Sequence, residues 1–387
     1  MGSEDLDDWR PLGPGVVAWY DSPSSGFSTQ LTQRIAATTG TLPAIRLRPT
    51  GLQVSLEPYD RELATAISAV ASDLGLTADP SVLSAVHLEV ATADEDRIRP
   101  FWRTVLGADH PKIRFTDLPE ARPLRNRIHT DVVRPADAVE ATRADLGVEP
   151  YGAYGVTISD PEGNEIDLVP GGHLGSGHDA ADGSDTSDWR TVFSAIVHYP
   201  TGSAVESAAL ATSVVGLATD AGIPLHLDLG SDGVTVDSGK DAWESAPEQF
   251  AAVAGRVQAE ARRRGHAADP RRPCFVQFGV DALDIPAVRG FWAATLGYRI
   301  DPREQVTDIV DPRGLGPVMI FQRLDPSELD RRRQRNRLRF ALTVPHDTVA
   351  AHVDAAVGAG GRVLTARGDR HVVADPEGNE VVISSQS

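Results

Sequence analysis

Two nearly identical heptapeptides, SDPEGNE at residues 159–165 and ADPEGNE at 374–380, each precede a short apolar segment. Asp-Pro sets the entry to a turn and Gly-Asn tolerates the left-handed backbone that closes it, so each predicts a turn with a strand on either side. Two further matches run in the same order through both halves. DDWR at 7–10 returns as SDWR at 187–190, and FWRTVLG at 101–107 returns as FWAATLG at 291–297. The offsets grow from 180 through 190 to 215 residues, so a repeated unit carries insertions in its second copy.

Working outward, the residues before each turn read as strand and helix in alternation. VHLEVAT at 86–92 is a strand, RIRPFWRTVLG a helix ending at Gly107, RIHTDVV a strand, ADAVEATRADLG a helix ending at Gly147, and VTISDPEGNEIDLVP a hairpin. Each copy opens with another pattern: strand, helix, two strands, helix. In the first, GVVAWYDS precedes the amphipathic FSTQLTQRIAATTG, then PAIRLRP and GLQVSLEP alternate around Pro49-Thr50-Gly51 before RELATAISAVASDLGL. The second repeats it from SAIVHYP to a helix between Ala246 and Arg264. Between the copies, GGHLGSGHDAADGSDTS at 171–187 reads as a flexible linker in which His173 and His178 are bystanders.

The chain has 387 residues, long enough for several cores. Its 37 Lys and Arg stand against 55 Asp and Glu, a formal charge of −18 that argues against nucleic acid and anionic membrane as partners. The single cysteine, Cys274, excludes a disulfide framework and a multi-cysteine zinc site, and reads as a small buried hydrophobe. An acidic start without an apolar signal region, and no run of 18 apolar residues, lead to the expectation of a cytoplasmic protein.

The strand-helix-strands pattern, Phe-Trp followed by Leu-Gly in the helix, Arg-Asn-Arg at 125–127 and 335–337, and DPEGNE before the last strand resemble the vicinal oxygen chelate superfamily. This is the glyoxalase, bleomycin-resistance and extradiol dioxygenase group. The resemblance implies an α+β fold with two glyoxalase-like domains of paired βαβββ modules, at 82–170 and 273–385, each curled around a cavity. The leading segments, 10–78 and 188–265, resemble pterin-4a-carbinolamine dehydratases more faintly. That family's His-His-Pro motif falls on Thr41, Leu42 and Pro43 in one copy and on Ile223, Pro224 and Leu225 in the other, with His226 one residue beyond. Without an imidazole there is no group titrating near neutrality, so this likeness speaks for fold rather than activity.

The resemblance further implies metal ligands at His87, His129 and Asp167 of the first copy. Two imidazoles and a carboxylate suit Fe, Mn, Zn or Ni with positions open to a substrate chelating through adjacent oxygens. Glu89 shares a strand face with His87, Asp131 with His129, and Glu165 with Asp167, so each acidic neighbour is a candidate orienter, base or substitute ligand. Glu165, beside the turn, is expected to face solvent. In the second copy the same positions hold Gln277, Arg339 and Val382; either Arg339 takes an anion in place of a metal, or this is a degenerate structural copy whose cavity is filled by side chains. The preferred reading is a divalent-metal-dependent lyase, isomerase or dioxygenase acting on a small oxygen-rich molecule. The alternatives are a non-catalytic binding protein of the bleomycin-resistance kind and a residual pterin dehydratase. A homodimer and intrachain pairing of the two halves both remain open.

Overall fold

A computed structural model describes residues 7–175 and 185–386. The first stretch contains β1 (Trp9–Leu12), β2 (Gly15–Asp21), α1 (Ser25–Thr39), β3 (Ala44–Arg48), β4 (Gly51–Leu56), α2 (Arg61–Asp73) and β5 (Thr77–Ala78). Then come β6 (Ala85–Thr92), α3 (Glu95–Leu106), β7 (Ile113–Asp117), β8 (Ile128–Pro135), α4 (Ala136–Leu146), β9 (Thr157–Ser159) and β10 (Glu165–His173). The second copy begins with β11 (Arg190–Thr191), β12 (Ala195–Tyr199), α5 (Ala204–Ala221), β13 (His226–Gly230), β14 (Gly233–Asp237) and α6 (Pro247–Arg263). It continues through β15 (Phe275–Ala282), α7 (Ile285–Leu296), β16 (Arg299–Ile300), β17 (Ile309–Val310), β18 (Val318–Arg323) and α8 (Leu329–Arg333). The chain closes with β19 (Leu338–Thr343), α9 (Val349–Gly358), β20 (Arg362–Arg367), β21 (Arg370–Ala374) and β22 (Glu380–Ser384).

The repeat is visible in the helix ends. Asp94 caps α3 by accepting from the Arg97 N–H, and Gly107 ends it in the left-handed region at φ 81°. Asp284 does the same for α7 through Ala287, and Gly297 ends that helix at φ 69°. A side chain at either terminal position would be strained there, which is why Leu-Gly recurs.

The chain forms two compact units, each made of two separated stretches: 1–83 with 171–274, and 84–170 with 275–387. In the first unit the sheet runs β1-β2-β4-β3-β13-β14-β12-β11, with β5 beside β2. The two copies join where β3 meets β13 antiparallel, Ile45 opposite Leu229 and Leu47 opposite Leu227. These four side chains, together with Trp9, Trp189 and Phe250, belong to one buried core. Of the expected linker, 176–184 lie outside the described residues. Gly171 to His173 are instead strand, because Gly172 and His173 find ladder partners in Thr191 and Arg190.

In the second unit one sheet runs β10-β8-β15-β18-β17-β16, with β9 on β10, and a six-stranded sheet runs β20-β21-β22-β19-β6-β7. Each sheet draws strands from both copies, three and four in the first and two and four in the second. β8 pairs antiparallel with β15, and β6 pairs antiparallel with β19. The buried faces agree with this exchange. Ile128 and Val132 of β8 lie beside Phe278 and Val280 of β15, all at 0% exposure, and Phe278 packs on Phe340 of β19 at 5.4 Å between ring centroids.

The repeated motifs are the clasp that holds this arrangement. Trp102 Nε1 donates to Asp160 at 3.0 Å, and Trp292 Nε1 to Asp375 at 3.1 Å. The Asn164 amide donates to Asp160 at 2.7 Å while its oxygen accepts from Asn126 at 2.8 Å; Asn379, Asp375 and Asn336 repeat the pattern. The first arginine of each Arg-Asn-Arg stays within its own copy, Arg125 on Glu165 and Arg335 on Glu380. The second crosses over. Arg127 donates to the Glu377 carbonyl at 2.8 Å, and Arg337 to the Gly163 carbonyl at 2.9 Å and to Asn164 at 3.0 Å. Planar guanidiniums with several fixed donors suit this task, because they satisfy turn carbonyls that burial would otherwise strand. Burial correspondingly lowers the pKa of Arg127 and Arg337, opposed by the acidic residues around them.

Among the described residues, no helix is long and apolar enough to cross a membrane. Cys274 is half-buried rather than fully buried.

Candidate functional site

The exchange of strands recombines the candidate ligands. His129 lies on β8 and Asp167 on β10, while Gln277 reaches their sheet through β15. His87 and Glu89 lie on β6 in the six-stranded sheet, where Arg339 of β19 faces Glu89. Of the expected triad, His129 and Asp167 thus lie on one sheet and His87 on the other. Periodicity predicts the face of a strand correctly but says nothing about which strand will lie beside it.

What the structure brings together instead is His129, Asp131 and Asp167, whose ligand atoms all lie within 4.8 Å of one another. The imidazole and the Asp131 carboxylate stand two residues apart on β8 and hence on one face, with His129 Nε2 3.5 Å from Asp131 Oδ1. Gln277, directly across the ladder, donates its amide to Asp131 Oδ2 at 2.7 Å. Its own Oε1 is buried without a hydrogen-bond partner. Thr157 of β9 donates to Asp167 Oδ1 at 2.7 Å. These donors fix the carboxylates, as outer-sphere groups do around a metal.

Opposite His129 stands Gly279, and the glycine is what admits the ring. A Cβ there would lie 2.1 Å from His129 Cε1. In the sequence the signal for Gly279 is a lone glycine in an otherwise apolar strand, a mark of close approach. The signal for Asp131 is its place two residues after His129 on the same strand face.

Glu165, expected to face solvent, is buried at 8% exposure. Arg125 Nε binds its Oε2 at 2.6 Å and the Tyr151 hydroxyl donates to Oε1 at 3.0 Å. Desolvation, then the negative charge of Glu165, raises the Tyr151 pKa, so the phenol keeps its proton and donates it. Glu165 thus sits on the face of Asp167 but is committed to structural partners.

On the six-stranded sheet, His87 Nε2 lies 3.0 Å from an Arg114 nitrogen, and its Nδ1 is buried without a hydrogen-bond partner. Burial, then the charges of Arg114 and Lys112, lowers its pKa to about 4, leaving it neutral. The neutral ring accepts from Arg114 and carries its hydrogen on Nδ1. Glu89 is paired with Arg339 at 2.5 Å. A guanidinium on either side makes this face a poor place for a divalent cation.

In the first unit, Ile223, Pro224 and Leu225 line a pocket of about 280 Å³ with Ser25, Pro49 and Thr219. No residue lining it is titratable near neutrality.

Residues 277–384 match the family model of the glyoxalase-like domain, which supports the vicinal oxygen chelate superfamily for this part of the chain. No match was found among curated proteins.

Proposed function

We propose that the chain is a divalent-metal-dependent enzyme of the vicinal oxygen chelate type, with its centre at His129, Asp131 and Asp167. The observation that carries the proposal is the convergence of one imidazole and two carboxylates within 4.8 Å on one sheet face. The orphaned Gln277 Oε1 nearby is a further oxygen donor. A set dominated by oxygen, with one nitrogen and no sulfur, favours Mn, Fe or Ni over a tetrahedral zinc site.

When bound, such an ion supplies Lewis-acid stabilisation to a substrate offering two adjacent oxygens. The chain's own residues do the rest. Gln277 and Thr157 hold the carboxylates in place, and Gly279 leaves room for the imidazole. Val318 and Ile320 of β18 stand opposite Gln277 and Gly279 in the ladder, on the same face, and offer an apolar wall to the substrate body.

Isothermal titration of the full chain with Mn²⁺ and with Ni²⁺, repeated on a His129→Ala plus Asp167→Ala variant, tests the reading. One site per chain is expected in the wild type and none in the variant. Absence of binding in the wild type, or equal binding in both, refutes the metal centre.

A further inference from the structure

The six-stranded sheet carries a second cavity, of about 490 Å³, with a different chemistry. Arg335, Arg339, Arg367 and Arg370 line it, together with Glu380. Leu364 and Val372 give it an apolar side, and Val372 continues into a small buried cluster with Ala341 and Val382. In a chain of formal charge −18, four guanidiniums around one cavity run against the overall balance.

The ion pairs show how much of that charge is uncompensated. Arg335 is held bidentate by Glu380, Nε to Oε1 at 2.5 Å and a second nitrogen to Oε2 at 2.6 Å. Arg339 is held through Nε by Glu89. Arg367 and Arg370 make no ion pair among the described residues, yet they stand directly opposite each other on β20 and β21. Like charges at facing positions destabilise a hairpin. The nearest acid in that turn, Asp369, is taken by His346 at 2.7 Å and by Ser385 at 3.0 Å. Glu380 and Glu89 pair with Arg335 and Arg339, so Arg367 and Arg370 are the guanidiniums left without an ion pair among the described residues beside this apolar-sided cavity.

We propose that this cavity is a metal-free binding site for a small organic dianion, a phosphate monoester or a dicarboxylate with an apolar body. Arg367 and Arg370 supply the charge-assisted contacts. Arg335 and Arg339 are fixed donors oriented by their own carboxylates, and Leu364 and Val372 pack on the ligand body. The site does not depend on the metal reading of the other sheet.

The test is isothermal titration of the full chain, in EDTA, with phenyl phosphate and with phthalate. Saturable binding of either at one site per chain is expected, and which of the two binds tells phosphate from dicarboxylate recognition. Affinity should fall with added salt and drop at least ~10-fold in an Arg367→Gln plus Arg370→Gln variant. It should stay unchanged in His129→Ala, so that failure of the metal centre and failure of this site are told apart. No saturation by either probe up to ~10 mM, or an undiminished affinity in the double arginine variant, overturns the proposal.

Discussion

Replacing Gly279 by alanine isolates the imidazole from the rest of the proposed metal centre. The new Cβ would lie 2.1 Å from His129 Cε1 and 2.2 Å from Nε2, against an ordinary carbon contact of about 3.5–4.0 Å, so the ring must retreat by more than about 1 Å. The nearest atoms are all in the imidazole, the far end of a side chain with two rotatable bonds. The fold can yield there at a cost of about 1–2 kcal/mol. Metal affinity cannot yield so cheaply. Loss of an outer-sphere partner costs 10–100-fold at metal sites, so displacing a direct donor is expected to cost at least ~100-fold, about 2.7 kcal/mol. Titration with Mn²⁺ alongside urea unfolding separates the two effects. Wild-type metal affinity in the Gly279→Ala variant would refute His129 as a ligand. A stability loss above ~4 kcal/mol would show instead that the ring is locked in place.

Further expectations rest on other parts of the molecule. Asn164 is fully buried and bonds Asp160, Asn126 and Arg337 at once, so Asn164→Ala should cost about 2–4 kcal/mol in urea unfolding; a loss under ~0.5 kcal/mol contradicts the clasp. His87 and His198 both have a pKa lowered to about 4, first by burial and then by neighbouring cations. The unfolded chain therefore takes up protons near 6.5 that the folded chain refuses until about 4. Their stabilisation is complete above about pH 6.5 and is lost as the pH falls toward 4, about 1–2 kcal/mol each after allowance for partial solvation. His198→Gln should flatten that decline, and an unchanged pH profile speaks against it. Segments 82–170 and 273–385 made separately should each be self-associated in light scattering, because strands β6, β8, β15 and β19 lose their partners; a stable monomer of either argues against the exchange.

Much of the local structure is legible in the residues themselves. The Gly107 and Gly147 helix ends, the hairpin at Asp160 to Asn164 and the repeated Leu-Gly helix stop all describe interactions within some twenty residues, and local chemistry decides them. The pairing of β8 with β15 is different. Two copies of one module present equivalent edges, and alternation along RIHTDVV is satisfied equally by a neighbour from either copy. His87 and His129 were separable only once that choice was known. Arg367 and Arg370 are hidden for a simpler reason: Arg-Gly-Asp-Arg reads as an exposed turn, and only β20 pairing with β21 sets the two guanidiniums face to face.

The exchange of strands also has a consequence in time. Arg339 reaches its ion-pair partner Glu89 across 250 residues of chain, and Gln277 reaches Asp131 across 146. At a synthesis rate of about 5–20 residues per second, β6 leaves the ribosome roughly 10–50 s before the strand that will cover its edge. Until then, the apolar Val86, Leu88 and Val90 lie on a strand whose β19 side has no ladder partner. The newborn first half is thus obliged to wait for the second, and its survival in the crowded cell becomes a matter of what shields that edge during the interval.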